Sequence, residues 1–284
     1  MKKVPYLHIL LFVITFFTTL SAGALQKGIN IFESPQRILE GLPFAMTLMI
    51  ILTVHELSHY FASKRQHTAA SLPYFIPAPS FIGTFGAFIK MKSPIMTRSA
   101  LIDIGASGPI AGFIVSLIAC IVGLSMSEIV PLAKVVDGVL VLGDSLLFSF
   151  LSWVIVGNLP NSVDILLHPI AFAGWIGLFV TSMNLLPIGQ LDGGHIAFAI
   201  LGNGHRYVSI ALVAALAMFG FLAIMGVYGW EGWGIWALLM LFFGIKHPPV
   251  LYWEMPLDHT RKYIALVSLF IFIVTFIPVP FKML

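Results

Sequence analysis

Charge and cysteine are what this chain has least of. Only 10 % of its 284 residues are Asp, Glu, Lys or Arg, against about 25 % in a water-soluble globule. It cannot clothe itself in polar surface, which excludes a freely soluble domain. A single cysteine, Cys120, excludes an intrachain disulfide framework. No segment repeats another and no low-complexity tract occurs, so solenoids, collagen-like chains and disorder are set aside. The fifteen Lys and Arg are scattered and the net charge is only +3, so no nucleic-acid partner is expected. What the chain does have is apolar mass: 59 % hydrophobic residues and a mean hydropathy of +0.99. The lipid bilayer is its expected solvent.

A membrane helix needs about 20 mostly apolar residues. Five segments meet that length: Tyr6–Leu25, Pro43–Ser63, Leu101–Met126, His168–Pro187 and Tyr207–Trp230. A sixth, Lys262–Ile277, is equally apolar. Leu146–Gly157 and Gly232–Ile245 are shorter, the length of re-entrant or interfacial pieces. Lys2 and Lys3 followed by an apolar run and Ala22-Gly-Ala24 resemble a secretion signal, but a retained anchor helix is the preferred reading. With the N-terminus inside, Gly232–Ile245 spanning and Leu146–Gly157 not spanning, eleven basic residues fall inside. Only Lys27, Arg37, Lys134 and Lys282 fall outside. The expected fold is an all-α polytopic membrane protein of about six to seven transmembrane helices. A small membrane-associated β-segment is expected at Gly83-Thr-Phe-Gly-Ala-Phe-Ile-Lys-Met91. Trp230, Trp233 and Trp253 fit interfacial belts. One transmembrane domain is expected over 1–284, with a core at 42–200, an anchor helix at 5–25 and C-terminal helices at 206–280.

The second span contains His55-Glu56-Leu57-Ser58-His59. Positions i and i+4 share a helix face, so two imidazoles there can hold one tetrahedral zinc, with Glu56 between them as general base. His55 lies nine residues from Lys64, which belongs at the membrane surface, and is therefore roughly 14 Å inside. An ionisable group at that depth costs at least about 2.5–3.5 kcal/mol, which makes it a functional candidate by default. A catalytic zinc takes three protein ligands and keeps a position for water. Asp103, His168, Asp192 and His195 are the candidates for the third. Asp192 is chosen, because Pro187 and Gly189 end the fourth span while Gly193 and Gly194 let backbone turn closely. His195 is a candidate for orienting Asp192.

In this order, His55-Glu-Leu-Ser-His59, Gly83-Thr-Phe-Gly86 and Asn184-Leu-Leu-Pro through Leu191-Asp192-Gly193 resemble the site-2 proteases, the intramembrane zinc metalloproteases. The match runs from about residue 42 to about 200. Gly108-Pro109-Ile-Ala-Gly112 also resembles a family feature, small residues that let helices pack closely. The resemblance implies one zinc per chain on His55, His59 and Asp192, and a proton carried by Glu56 from water to the leaving amine. It implies substrate contacts at Asn184 and along Gly83, Phe85 and Gly86, where a β-edge receives the extended substrate strand. The implied substrates are transmembrane segments of other proteins. Many bacterial relatives carry a PDZ domain, for which this chain has no space, so it resembles the compact members. The short chain without a transit peptide points to a prokaryotic plasma membrane, multi-pass, with the active site toward the cytoplasm. The competing readings are an ion-coupled transporter and a catalytically inactive homologue that binds membrane segments. No oligomeric state is read from the sequence.

Overall fold

The computed structural model describes residues 5–131, 140–160 and 162–283; Lys2, Lys3 and Lys134 of the charge count lie outside the described residues. Nine helices are seen among the described residues: α1 Tyr6–Gln26, α2 Leu42–Arg65, α3 Arg98–Ser125, α4 Leu146–Ile155, α5 Pro169–Asn184, α6 Asp192–Leu201, α7 His205–Ile224, α8 Gly232–Phe243 and α9 His259–Thr275. Six short strands form three antiparallel ladders: β1 Tyr74–Pro77 with β2 Thr84–Phe88, β3 Glu128–Pro131 with β5 Val163–Leu166, and β4 Leu140–Leu142 with β6 Phe281–Met283. The protein is mostly helical, as expected; of the strands, the sequence reading had placed only the stretch around β2.

Among the described residues, four stretches are long and apolar enough to cross a membrane: Tyr6–Gln26, Pro35–Arg65, Arg98–Ser125 and Asp192–Ile224. The expected span at His168–Pro187 is the 16-residue α5, about 24 Å of helix. The ten residues of α4 make about 15 Å, half a hydrocarbon core of about 30 Å.

Contacts divide the chain into two compact units. One comprises Met1–Ser93, Ala111–Leu132 and Leu151–Val180, the other Pro94–Ile110, Ala133–Phe150 and Thr181–Leu284. In the first unit α1 and α2 pack through bare backbone. A Cβ on Gly23 would lie 2.7 Å from the Gly41 carbonyl oxygen, so both glycines are required for the approach. Ala22, Gly23 and Ala24, the residues of the signal-like motif, are buried there. α1 also holds the β1–β2 hairpin. The Thr18 hydroxyl donates to the Gly83 carbonyl at 2.6 Å, the Gln26 amide donates to Phe81 O, and Phe12 meets Phe75 edge-on. The core of the unit is an aromatic column, Phe44–Phe172–Trp175–Phe179, with centroid spacings of 5.6, 6.3 and 5.8 Å. Gly174 and Gly177 of α5 let that column lie against Ser116 and Cys120 of α3.

In the second unit, Asp103 of α3 takes a bidentate pair from Arg261 of α9 at 3.0 and 2.7 Å. Asp258 caps α9 by accepting from the Arg261 backbone N–H at 2.8 Å. That bond holds its carboxyl below the usual range. Trp233 is no belt residue: it is buried, stacks on Phe276 and donates to the Pro278 carbonyl. Its polar handle is satisfied internally, so its large apolar body belongs to the core.

Replacing Gly23 with Leu forces α1 off α2, an overpacking cost of about 1–3 kcal/mol. A lower thermal midpoint in detergent than that of a Gly204→Ala control, whose Cβ meets only Leu201 at an ordinary 3.8 Å, is the expected outcome.

Candidate metal centre

α2 buries one continuous stripe: Leu48, Ile51, Leu52, His55, Glu56, His59 and Ser63. The spacing of three and four residues is that of one helix face. Over its last third the stripe carries imidazole and carboxylate where aliphatic side chains would otherwise sit. His55, Glu56 and His59 are 4 %, 4 % and 5 % exposed. The Nε2 atoms of His55 and His59 face each other at 3.1 Å. Two nitrogen ligands of a tetrahedral zinc, each at 2.0–2.1 Å, lie about 3.3 Å apart, so the pair fits that ion without rearrangement.

Room for the first imidazole comes from α3. A Cβ on Gly112 would approach His55 Nδ1 to 2.9 Å. Gly112 closes the Gly108–Gly112 motif, which had been read only as a helix-packing feature. Its more local duty, making space for a ring on the facing helix, leaves no trace in a single sequence.

The hairpin in the same unit has a register shift between Ile76 and Pro77. Ile76 pairs with Gly86 and Pro77 with Thr84, so Phe85 is the extra residue of a bulge. Gly83 and Gly86 adopt φ of +81° and +101°, conformations that side-chain-bearing residues rarely take. Thr84 Oγ1 stitches the bulge together, donating to Ile76 O at 2.8 Å and accepting from Gly86 N–H at 2.9 Å. Phe85 is 74 % exposed.

In the second unit Asp192 opens α6, and Leu191 before it is extended. Asn184 is the half-buried last residue of α5. The sequence reading had Gly193 and Gly194 bending backbone around a metal; the structure corrects this, since both lie in the first turn of α6. A Cβ on Gly193 would collide with Leu185 O, and one on Gly194 would come within 2.7 Å of Ile188 O. The glycines therefore let the start of α6 rest directly on the backbone of the preceding turn. A Cβ on Gly105 would sit 3.0 Å from Asp192 O, so that helix start is backed by bare backbone on a second side. A carboxylate in a first turn is also stabilised by the uncompensated N–H groups there.

The other candidates for a third ligand have different employment. Asp103 holds Arg261. His168 Nδ1 accepts from Ile170 N–H at the start of α5. His195 Nδ1 lies 2.6 Å from His247 Nε2. His247 Nδ1 lies 2.6 Å from the Pro248 carbonyl and must donate to it. Burial lowers His247 to about 4, so it is neutral at pH 7 and its Nε2 can only accept, which makes His195 the donor. His205 is the buried first residue of α7, against Ser209.

A model of peptidase family M50 matches residues 43–227. The chain belongs to that family, the site-2 proteases. This M50 peptidase is 33 % identical over 202 residues to the probable zinc metalloprotease EGY2, chloroplastic, of Arabidopsis thaliana, covering 69 % of this chain and 36 % of that one. It is 36 % identical over 165 residues to the Arabidopsis EGY1, covering 57 % and 30 %. Rice (Oryza sativa subsp. japonica) EGY3 is 30 % identical over 244 residues, covering 76 % and 39 %. The match spans only 30 % to 39 % of the length of these relatives. No solved structure matches it. Zinc is the cofactor that goes with this family, and the buried pair His55–His59 suits that ion.

Gly112→Val presses a branched side chain against the His55 ring. The expected result is folded protein with substoichiometric zinc by elemental analysis; full zinc occupancy would show that Gly112 is not what seats that imidazole.

Proposed function

We propose that this protein is an intramembrane zinc endopeptidase that hydrolyses peptide bonds within or near transmembrane segments of other proteins. The observation that carries the proposal is the His55–Glu56–His59 turn buried on an apolar helix, roughly 14 Å by sequence from Lys64. A transporter would distribute ionisable groups over several spans, whereas here the buried ionisable side chains of α2, His55, Glu56 and His59, gather within five residues.

His55 and His59 would hold the zinc, with Asp192 as the third ligand. Support for Asp192 is the employment of Asp103, His168 and His195 elsewhere, together with its place inside the family match. Zinc supplies Lewis-acid polarisation of the scissile carbonyl and a more acidic water. Glu56 removes the proton from the attacking water and returns it to the departing amine nitrogen, so no net proton is consumed. The surrounding apolar side chains strengthen each electrostatic contact by excluding bulk water.

A peptide bond in a helix is already hydrogen-bonded, so the substrate must unwind before it is cut. The edge of β2, with Gly83, Phe85 and Gly86, receives the unwound strand through main-chain bonds, and the exposed Phe85 ring holds its side chains. Asn184 binds substrate backbone. Six to seven spans within one functional domain, with α1 retained as an anchor, complete the reading. The eleven-to-four charge bias favours a zinc site toward the cytoplasmic side of the membrane.

Glu56→Gln retains zinc and lowers cleavage of a fluorogenic single-span peptide in proteoliposomes by about 10²–10⁴-fold, the range for loss of a general base. Cleavage at the native rate would remove Glu56 from the chemistry. His55→Ala and Asp192→Ala each lose the single zinc of the native chain; a full equivalent in Asp192→Ala would move the third ligand elsewhere.

A further inference from the structure

A slot of about 570 Å³ opens between α6 and α9 within the second unit. Ile196 and Ile200 form one wall, and Ala265, Leu269 and Phe272 the other. From Lys262 to Phe272 the α9 wall runs about 15 Å. Two charged residues line the slot, Arg98 and Lys262, both basic, and no carboxylate does. Arg98 is anchored where α6 ends, donating to Ala199 O at 2.8 Å, and its guanidinium lies 4.6 Å over the Trp253 ring. Lys262 sits in the first turn of α9. The carboxylates beside it in sequence and space, Asp103 and Asp258, are both engaged by Arg261.

The basic character continues past the mouth. A second cavity of about 370 Å³ is lined by His205, Arg206, Lys246 and His247, again without a carboxylate. Phe198, in its wall, meets Trp253 edge-on at 5.4 Å. Arg98, Arg206, Lys246 and Lys262 all belong to the eleven residues that the charge bias assigns to one membrane face.

We propose that the slot holds an anionic phospholipid, one acyl chain between α6 and α9 and its phosphate at Arg98 and Lys262. An apolar substrate helix would bring no anionic group to either cation. An extended peptide would bring backbone N–H and C=O groups against walls that cannot satisfy them. An acyl chain has no such groups, and each cation near a bilayer surface favours an anionic headgroup by about fivefold. This assignment does not depend on the catalytic reading.

Native mass spectrometry on the purified protein, equilibrated in mixed micelles with equal amounts of phosphatidylglycerol and phosphatidylcholine, tests it. One phosphatidylglycerol per chain is expected, retained at least about fivefold over phosphatidylcholine. Lys262→Gln, at an exposed position, lowers that preference about fivefold, and Leu269→Trp, which fills the slot, abolishes retention while zinc content stays native. Equal retention of the two lipids, an unaltered preference in Lys262→Gln, or unaltered retention in Leu269→Trp would each overturn the proposal. Displacement of the lipid by an equimolar polyleucine transmembrane peptide would assign the slot to a protein segment and overturn it as well.

Discussion

Two imidazoles and a carboxylate on the buried stripe of a membrane helix impose a solvation cost that neighbouring elements must offset. The facing nitrogens at 3.1 Å need a proton or a cation between them, because two lone pairs at that distance repel. The ring of His55 also needs space that an ordinary helix interface would not leave. Gly112 provides it on α3. Gly174 and Gly177 bring α5 equally close to α3, and the aromatic column headed by Phe44 fills the remaining volume of the first unit. A polar stripe in this position is tolerated because it is enclosed by protein, and bare backbone is what makes the enclosure tight.

The same device recurs at the start of α6. Asp192 occupies a helix terminus whose next two residues have no side chains, so the turn 185–189 and Gly105 press against it as backbone. Carbonyl packing of this kind fixes a carboxylate more firmly than side-chain packing, since few rotatable bonds intervene. It also accounts for a helix beginning on a glycine pair. The conformational cost of each glycine, about 1 kcal/mol relative to alanine, is offset by contacts no larger residue could make.

The residues legible in the sequence were those whose partners lie one turn away. His55, Glu56 and His59 declare themselves by spacing alone, and the span that carries them by apolar length. Asp192 was legible as a residue type at a span end, but α6 was not, because Gly193 and Gly194 read as breakers until their backbone contacts are known. β1 was hidden by its flanking prolines, Pro73 and Pro77, and by a register shift no alternation pattern announces. Trp233 looked interfacial, since its acceptor, the Pro278 carbonyl, lies 45 residues further on. Asp103 read as a candidate ligand, and its partner, Arg261, is 158 residues distant. In each case the missing information was a long-range contact.

The tie between α1 and the hairpin has an evolutionary consequence. Thr18 grips the Gly83 carbonyl and Phe12 braces Phe75, yet α1 precedes the stretch matched by the family, which begins at residue 43. The β-edge thus takes its position from a part of the chain that lies outside the matched core. On the proposed reading of β2 as the substrate edge, lineages exchanging their first helix would keep the His55–His59 turn while re-aiming that strand, so substrate preference could diverge without touching the chemistry.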